Sequence, residues 1–547
     1  MGTQNDTRVA GSNEGDVANK VSRSMTPLRN RPGDVEDVSR RDLAAKLLVG
    51  AGILGLAGCV DDEGRNIDST AEALSGGAAS WADTMTDLRA LIGSDTTATS
   101  KPVVVLGGYY AVGDGGGGVF YWDTTSSTGD NGGTIIVPTG SSTGRWIRLY
   151  AGGNATGYKP TGPLNVRHFG AKGDGLNADD VPINATISAA IAQGGGDVYI
   201  PPGTYRTTSY IIIAGSHIRL LGAGESTVIE PTSGAPYNTL SIGDGVNDYN
   251  GITVRDIVFK ESNKEVSSGS NALSIFRIFR VAIIDCYIDA AVSGVHVYAC
   301  NTVEFERVRV HNIRGNTSNH GFLIEGDANG RTDVVTFKNV VIQGVSAGTL
   351  SRHGVIIDGN VNTVSAYKLY SNGIDGSGLW FRNTKGSSNP EFATIYGYES
   401  EFCYLEGIRI DAGREMFFSD VEVHGSRQRA NVALNGSATV ITFKGGFIHG
   451  AARQGLHIMG QQISISGMHI YSNSNSWMGH YAGIEIDGSS LRVAIVGNIN
   501  TDESDSKQGP GVLVDLGADH FIVLGNIGSI TNNAGSSASK VVISNAA

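Results

Sequence analysis

A tetrapeptide of the form glycine-apolar-any-apolar recurs through the C-terminal two-thirds of this 547-residue chain, at Gly294, Gly321, Gly354, Gly378, Gly407, Gly455, Gly483 and Gly511. Neighbouring positions lie 27, 33, 24, 29, 48, 28 and 28 residues apart, and the 48 divides into two steps of 24 at Asn431, which opens the equivalent Asn-Val-Ala-Leu. A unit of this length cannot bury an apolar face alone. Self-similarity at such a period therefore predicts a solenoid, in which stacked coils share one continuous core and side chains at equivalent positions line up as ladders. Any chemistry is to be sought on the outward ladders.

Composition agrees. Glycine, with 77 residues, is about twice as frequent as in an average protein, and charged residues make up only 17% of the chain. A helical architecture is excluded by this glycine-rich, Val- and Ile-leaning, turn-rich profile, which is that of an all-β fold. Length does not count domains in a solenoid, since coils are simply added, and two structural regions are the better estimate. The formal net charge of −12 excludes nucleic acid and anionic lipid as partners, because both demand a basic surface. A polyanionic substrate requires a local basic patch or a bound cation. The four cysteines, Cys59, Cys286, Cys300 and Cys403, show neither CxxC pairing nor histidines at ligand spacing, so no zinc site and no disulfide framework is expected. The last three read as small core residues.

Near the N-terminus, Ser39-Arg-Arg-Asp-Leu and Lys46 precede an uncharged run over residues 47–58 that ends in Leu56-Ala-Gly-Cys59. This resembles a twin-arginine signal peptide followed by a lipobox. The resemblance implies that residues 1–58 are removed, that Cys59 is the lipidated first residue of an exported bacterial lipoprotein, and that residues 59–83 are a flexible tether. The run is too short to span a bilayer, so contact with a membrane is expected only through the lipid anchor, at the cell surface or in the periplasm.

Residues 84–160 carry short alternating apolar stretches bounded by Gly, Asp and Ser, which predicts a small β-rich domain. Its glycine tract at 115–118 reads as a flexible turn, because no lysine or helix follows at the spacing of a phosphate loop. The block resembles segments that precede the β-helix in phage tailspikes, which admits a side-by-side homotrimer. From Asn165 the sequence reads Asn-Val-Arg-His-Phe-Gly-Ala-Lys-Gly-Asp-Gly-Leu-Asn-Ala-Asp-Asp, then an apolar-periodic stretch over 181–193, then Gly-Gly-Gly-Asp-Val-Tyr-Ile-Pro-Pro-Gly-Thr-Tyr. This opening, with the coil pattern over residues 161–547, resembles the pectate-lyase-like superfamily in its rhamnogalacturonase and epimerase-like branch. The resemblance implies a right-handed parallel β-helix whose N-terminal end is plugged by a capping helix. Asp180 then stands at the helix N-cap, and Asp174, Asp179 and Asp180 are turn and cap residues rather than a catalytic carboxylate cluster.

Aligning the coils by their inward apolar residues exposes a second ladder. Val308 and Val310 point inward and Arg309 and His311 outward, and the same alternation gives outward pairs Val341/Gln343, Tyr370/Asn372, Glu399/Glu401, Glu422/His424, Phe447/His449 and His469/Tyr471. Parallel strands of adjacent coils lie about 4.8 Å apart, which sets Glu399 beside Glu422 and Glu401 beside His424. Two carboxylates that close cannot both ionise freely, so one pKa rises and identical residue types become an acid and a base. A close pair suits a retaining glycosidase, and a wider one such as Glu401 with Glu422 leaves room for the water of an inverting enzyme. β-Elimination on a uronic acid needs a base, a cation for the carboxylate and a proton donor: His424 or His449, Arg427 or Arg429, and Tyr471 supply them. A third ladder offers Trp380 for stacking on a sugar, with Arg409 and His457, while Asp358 and Asp487 read as turn formers. Trp477 and His480, in the loop over residues 472–482, can wall one side of a groove.

The family's specific chemistries are not carried over. Asn500-Thr501-Asp502 occurs without the other polygalacturonase motifs after it, the Tyr-Gly-Phe-Asp-Pro-His signature of mannuronan epimerases is absent, and no aspartate cluster of the calcium-binding kind falls on one coil. The expectation is an exported polysaccharide-degrading enzyme with catalytic Glu399, Glu401, Glu422 and His424. Tyr370, Trp380, Arg427, Arg429, His449, Tyr471 and Trp477 are expected to bind substrate. A polysaccharide lyase and a non-catalytic, tailspike-like glycan adhesin are the alternatives. No cofactor or metal is expected, with Ca2+ entering only under a lyase mechanism.

Overall fold

The computed structural model describes residues 80–93, 102–149, 162–261, 270–289, 292–313, 319–344, 352–386, 388–501, 508–535 and 540–543. The export motif and Cys59 lie outside the described residues.

Each coil of the solenoid contributes three short parallel strands to one sheet of 35 strands. A glycine-led strand such as Ser293–Tyr298 is followed by a middle strand, Thr302–Glu306, and a third, Arg309–Ile313, and each pairs in register with its counterpart one coil on. The leading glycines are a packing requirement. A Cβ on Gly294 would stand 2.2 Å from the carbonyl oxygen of Gly321, and one on Gly354 2.3 Å from that of Gly378, so a side chain here would force the coils apart. At the exceptional coil Asn431 turns inward, where it is fully buried, accepts from the Ser426 N–H and donates to the His449 carbonyl.

Inward positions form one core along the whole stack. Aromatic rings pile up within it, with Phe418 over Phe443 at 4.5 Å and nearly parallel and Phe305 over Phe337 at 5.3 Å. Cys286, Cys300 and Cys403 are buried members of this core, and burial pushes their thiols up to about 12, 12 and 11. The turn from middle to third strand is made each time by one residue in the left-handed region, among them Arg307, Asn339, Lys368, Gly397 and Asp420 with φ between 52° and 60°. That repeated turn aims the third strand of every coil along one face.

The N-terminal end is closed by the helix Asp180–Ala192, which buries Ile183, Thr186, Ile187, Ala189 and Ala190. Its N-cap is Asp179, one residue earlier than expected, and Asp180 is the first helical residue. Their carboxylates cap other segments. Asp179 accepts from the N–H groups of Lys172 and Gly173, Asp180 from that of Thr208, and Asp174 closes its own turn through Leu176 and Asn177.

Before the solenoid lies a five-stranded sheet built from Ser80–Ala82, Val103–Leu106, Gly118–Asp123, Arg145–Arg148 and Ile135–Ile136, in that spatial order. Its glycine tract is not a loose turn. The buried Arg148 guanidinium donates to the carbonyls of Gly116, Gly117 and Gly133 and lies over the Phe120 ring, so these backbone groups have a fixed partner. Gly133 in turn packs against Phe169, and Tyr110 donates to the Gly170 carbonyl, which joins the small sheet to the cap of the solenoid.

Candidate active site on the third-strand face

The register of the third strands is the one the sequence spacing predicts. Tyr370 pairs with Glu399, Glu399 with Glu422, Glu422 with Phe447 and Phe447 with His469. One step along, Asn372 pairs with Glu401, Glu401 with His424, His424 with His449 and His449 with Tyr471. The residue between each outward pair faces the core: Ser371, Ser400, Val423 and Ile448 are fully buried. Alternation about that buried residue is what holds both outward side chains toward solvent.

Glu401 is the hub of the resulting cluster. It accepts from the Tyr370 hydroxyl at 2.7 Å and the Asn372 amide at 2.6 Å, and its other oxygen lies 3.1 Å from His424 Nε2. The Tyr370 hydrogen bond, followed by His424, holds the Glu401 carboxyl below the usual range even though burial opposes this. Glu399 behaves in the opposite way: burial first, then the charges of Glu401 and Glu422, push its carboxyl up. The two are therefore displaced in opposite directions, the split expected of adjacent carboxyls, and burial pushes the Tyr370 hydroxyl up to about 12, so it stays a donor. Downstream, the His424 and His449 rings are parallel at 4.9 Å and His449 and Tyr471 at 4.6 Å, with His449 Nε2 3.8 Å from Glu422.

Upstream, the same face hollows into a groove of about 980 Å³ that runs past Tyr287, Arg309, His311, Lys368 and Tyr370 to end at Glu399. Register arithmetic puts Arg309 and His311 on this face, whereas Lys368 enters from a left-handed residue within the strand Asn362–Asn372 that the ladder pairing skips.

Other expected site residues are arranged differently. Arg429 pairs with the buried Glu406 at 3.2 Å, and Arg427 is exposed in the same loop. Trp380 faces outward on the glycine-led strand but is not an open stacking platform. Guanidinium groups of Arg382 and Arg409 lie over its ring at 4.5 and 4.6 Å, the His353 ring is 4.7 Å away, and its Nε1 donates to Asp411. Asp358, expected to form its own turn, is fully buried and instead binds Arg382 and the Thr384 N–H of the next coil, whereas Asp487 does close its turn through Ser489. Trp477, 62% exposed, stacks on His480 at 3.9 Å in a loop tied to the ladder by Asn475 donating to the Gly450 carbonyl. Among the described residues no group of three or more His, Cys, Asp or Glu side chains is placed to hold a metal ion.

Comparison with known proteins places the fold. Residues 164–379 match the family described as rhamnogalacturonase A/epimerase, pectate lyase-like. The solenoid is a pectate-lyase-like β-helix. Ahead of it, residues 82–151 match the phage tail protein small four-stranded beta-sheet domain. The pectate-lyase-like β-helix is similar in structure to the A-module of mannuronan C-5 epimerase AlgE6 from Azotobacter vinelandii, at 21% identity and a TM-score of 0.51 over 70% of this chain and 98% of that one. It is also similar to tailspike protein 3 of bacteriophage CBA120, at 11% identity and a TM-score of 0.54 over 78% and 74% of the two chains. At these identities the likeness is one of fold. In sequence, 78 residues are 44% identical to mannuronan C5-epimerase AlgE6, covering 13% of this chain and 9% of that protein. A stretch of 113 residues is 37% identical to alginate lyase 7 of the same organism, covering 18% of this chain and 13% of that protein. The chain thus spans a small part of the length of these relatives, and Glu399, Glu401, Glu422 and His424 lie beyond the residues matched by the family model.

Proposed function

We propose that this β-helix is a polysaccharide-cleaving enzyme whose reacting centre is the Glu399, Glu401, Glu422 and His424 cluster. The observation that carries the reading is the opposed titration of two carboxyls on one short strand at the end of a groove, since perturbed groups of opposite sense in a cleft are the usual equipment of acid–base chemistry. Glu399, whose carboxyl is pushed up by burial and by its carboxylate neighbours, is the member suited to donate a proton to the leaving glycosidic oxygen. Glu422, on the next coil and 47% exposed, is the second carboxylate, and a coil spacing of about 4.8 Å favours the close pair of a retaining mechanism. Glu401, held by Tyr370, Asn372 and His424, orients its neighbours. The similarity of short stretches to mannuronan epimerases and an alginate lyase supports a glycan as substrate.

One observation favours a second reading, β-elimination. Glu401 holds the His424 imidazole in the manner of a carboxylate that orients a general base, and such a base can take the proton next to a uronic acid carboxylate. The sequence over residues 39–59 supports export with a lipid anchor, and association of three chains side by side belongs to the same reading. The test is incubation of the protein lacking residues 1–59 with neutral and uronic-acid polysaccharides. New reducing ends without ultraviolet absorbance indicate hydrolysis, reducing ends with it indicate elimination, and binding with neither makes the protein an adhesin. Full activity in both Glu399→Gln and Glu422→Gln overturns the assignment of the centre.

A further inference from the structure

The middle strands form a face that changes character along the stack. In the upstream coils its outward positions include Arg255, Glu304, Glu306 and Lys338, and Lys338 pairs with Glu304. From the outward pair Ser365 and Tyr367 onward the charges stop. Seven coils, from that pair to Ile522 and Leu524, each set two middle-strand residues outward, and of these Lys444 alone is charged. A solvated face of that size ordinarily carries about a quarter to a third charged residues, and depletion of charge together with aromatic rings marks the centre of a protein interface. The exposed rings are Tyr367, Phe392 and Tyr396. Tyr367 and Tyr396 stack on each other at 5.5 Å and 15°, and the Phe417 ring meets Tyr396 at a steep angle at 6.0 Å, so ring faces are taken up within the chain rather than laid open for a sugar.

The corner between middle and third strands changes along the same direction. Upstream it is made by Asp285, Arg307 and Asn339, with φ of 51–52°, and in the last coils by Gly467, Gly497 and Gly525, with φ of 63–64°. The backbone does not require glycine there, since other residue types hold the same conformation. Nor does packing within the chain: a Cβ on Gly497 or Gly525 would meet nothing within 4 Å. What these glycines leave is a corner bare of side chains, across which the apolar surface continues. Val496 and Ile522 on one side of it and Ile499 and Ile527 on the other are between 37% and 45% exposed. Strands about 4.8 Å apart and about five residues long make the seven-coil face about 34 Å by 16 Å, roughly 540 Å² in plan. That equals the largest apolar patch of an ordinary monomer, and the corner strip carries it toward the roughly 800 Å² per partner of a stable interface.

We infer that this charge-poor face and its glycine corner are where a second copy of the chain packs, side by side with the first. A net charge of −12 repels copies over the rest of the surface, and a face nearly free of charge is where two of them can meet. The inference names the surface for the association of chains proposed above, and it does not depend on Glu399 or Glu422 as reacting groups. Its test is sedimentation equilibrium of the full chain from about 1 to 100 µM. Reversible association is expected, weakened about tenfold or more by Tyr396→Lys or Val496→Lys, because each sets like charges against each other across the contact. Gly497→Asn with Gly525→Asn keeps the turn but fills the corner, and should weaken association about three- to tenfold. Val246→Lys, an equally exposed apolar position on the loop after the strand Leu240–Ile242, should leave it unchanged. Circular dichroism checks that each variant is folded; every substituted site is exposed. A wild-type chain that stays monomeric throughout, association indifferent to the face and corner variants, or equal loss in Val246→Lys overturns the inference. The two proposals fall separately. A monomeric wild type beside an inactive Glu399→Gln protein sinks only the interface, whereas association weakened by the face variants beside full turnover in Glu399→Gln and Glu422→Gln sinks only the centre.

Discussion

Two faces of the same coils carry similar residues and use them differently. On the glycine-led face, Glu325 is held between His296 at 2.9 Å and Lys385 at 2.8 Å, Asp327 accepts from Tyr298, Asp358 is paired with Arg382, and Asp411 gathers Arg409, Trp380 and Asn435. There, burial is outweighed by these partners, which hold Glu325 down at about 2, and burial keeps His353 neutral by pulling it down to about 3. On the third-strand face Glu401 is satisfied in the same way, but its neighbour Glu399 is raised by burial and then by the adjacent carboxylates, and the imidazoles stack on one another. Polar residues alone do not mark a site. A network that satisfies each carboxylate stiffens a scaffold, while one that leaves a carboxyl short of cations can move a proton.

Four measurements break or sharpen that contrast. The largest effect is expected from Glu399→Gln, which should lower kcat by about 10²- to 10⁴-fold, whereas Glu325→Gln on the other face should stay within about twofold. Comparable loss in both would erase the distinction. Next, Asp358→Ala should destabilise the protein by about 3–5 kcal/mol in denaturant titration, because it strands the Arg382 guanidinium beside a buried cavity, yet leave turnover per folded molecule unchanged.

Tyr370→Phe should lower kcat by about three- to tenfold at neutral pH and alter the pH profile in a defined sense. Glu401 is depressed mainly by the Tyr370 hydrogen bond, so its ionised form persists to lower pH than that of an ordinary glutamate. Removing the donor raises that pKa, and the acidic limb of activity should move to higher pH. The alkaline limb belongs to Glu399, which must hold its proton; activity should fall as pH rises through its raised pKa, and Tyr370→Phe should leave that limb in place. Movement of both limbs together would argue against separate roles. The smallest effect is expected from Trp477→Ala in the loop beside the ladder, with KM rising about fivefold and kcat unchanged. An unaltered KM would remove Trp477 from the sugar-binding surface.

Much of this was legible in the sequence because a solenoid repeats one backbone conformation. Insertions such as residues 472–482, between the strands His469–Tyr471 and Ile484–Ile486, are absorbed outside the strands, so inward and outward positions can be counted from any coil, and the pairings of Glu399 with Glu422 and Glu401 with His424 follow from counting. Contacts made by loops cannot be counted in this way. Nothing in the spacing tells that Lys385 reaches Glu325, that Arg429 pairs with Glu406, or that Trp380 is enclosed by Arg382 and Arg409. The Arg148 anchor of the small sheet is hidden for the same reason, since its partners are backbone carbonyls.

By itself the sequence determined the coil, the buried glycines that let coils approach, and the residue types displayed on each face, because these depend on periodicities of a few residues along one strand and one coil. Tertiary structure decided which of those displayed groups are neutralised and which are not. Electrostatic coupling depends on distances of a few ångströms between side chains from different coils and loops, and so Glu325 and Glu399, similar in the sequence, were driven to opposite sides of the ordinary carboxyl range.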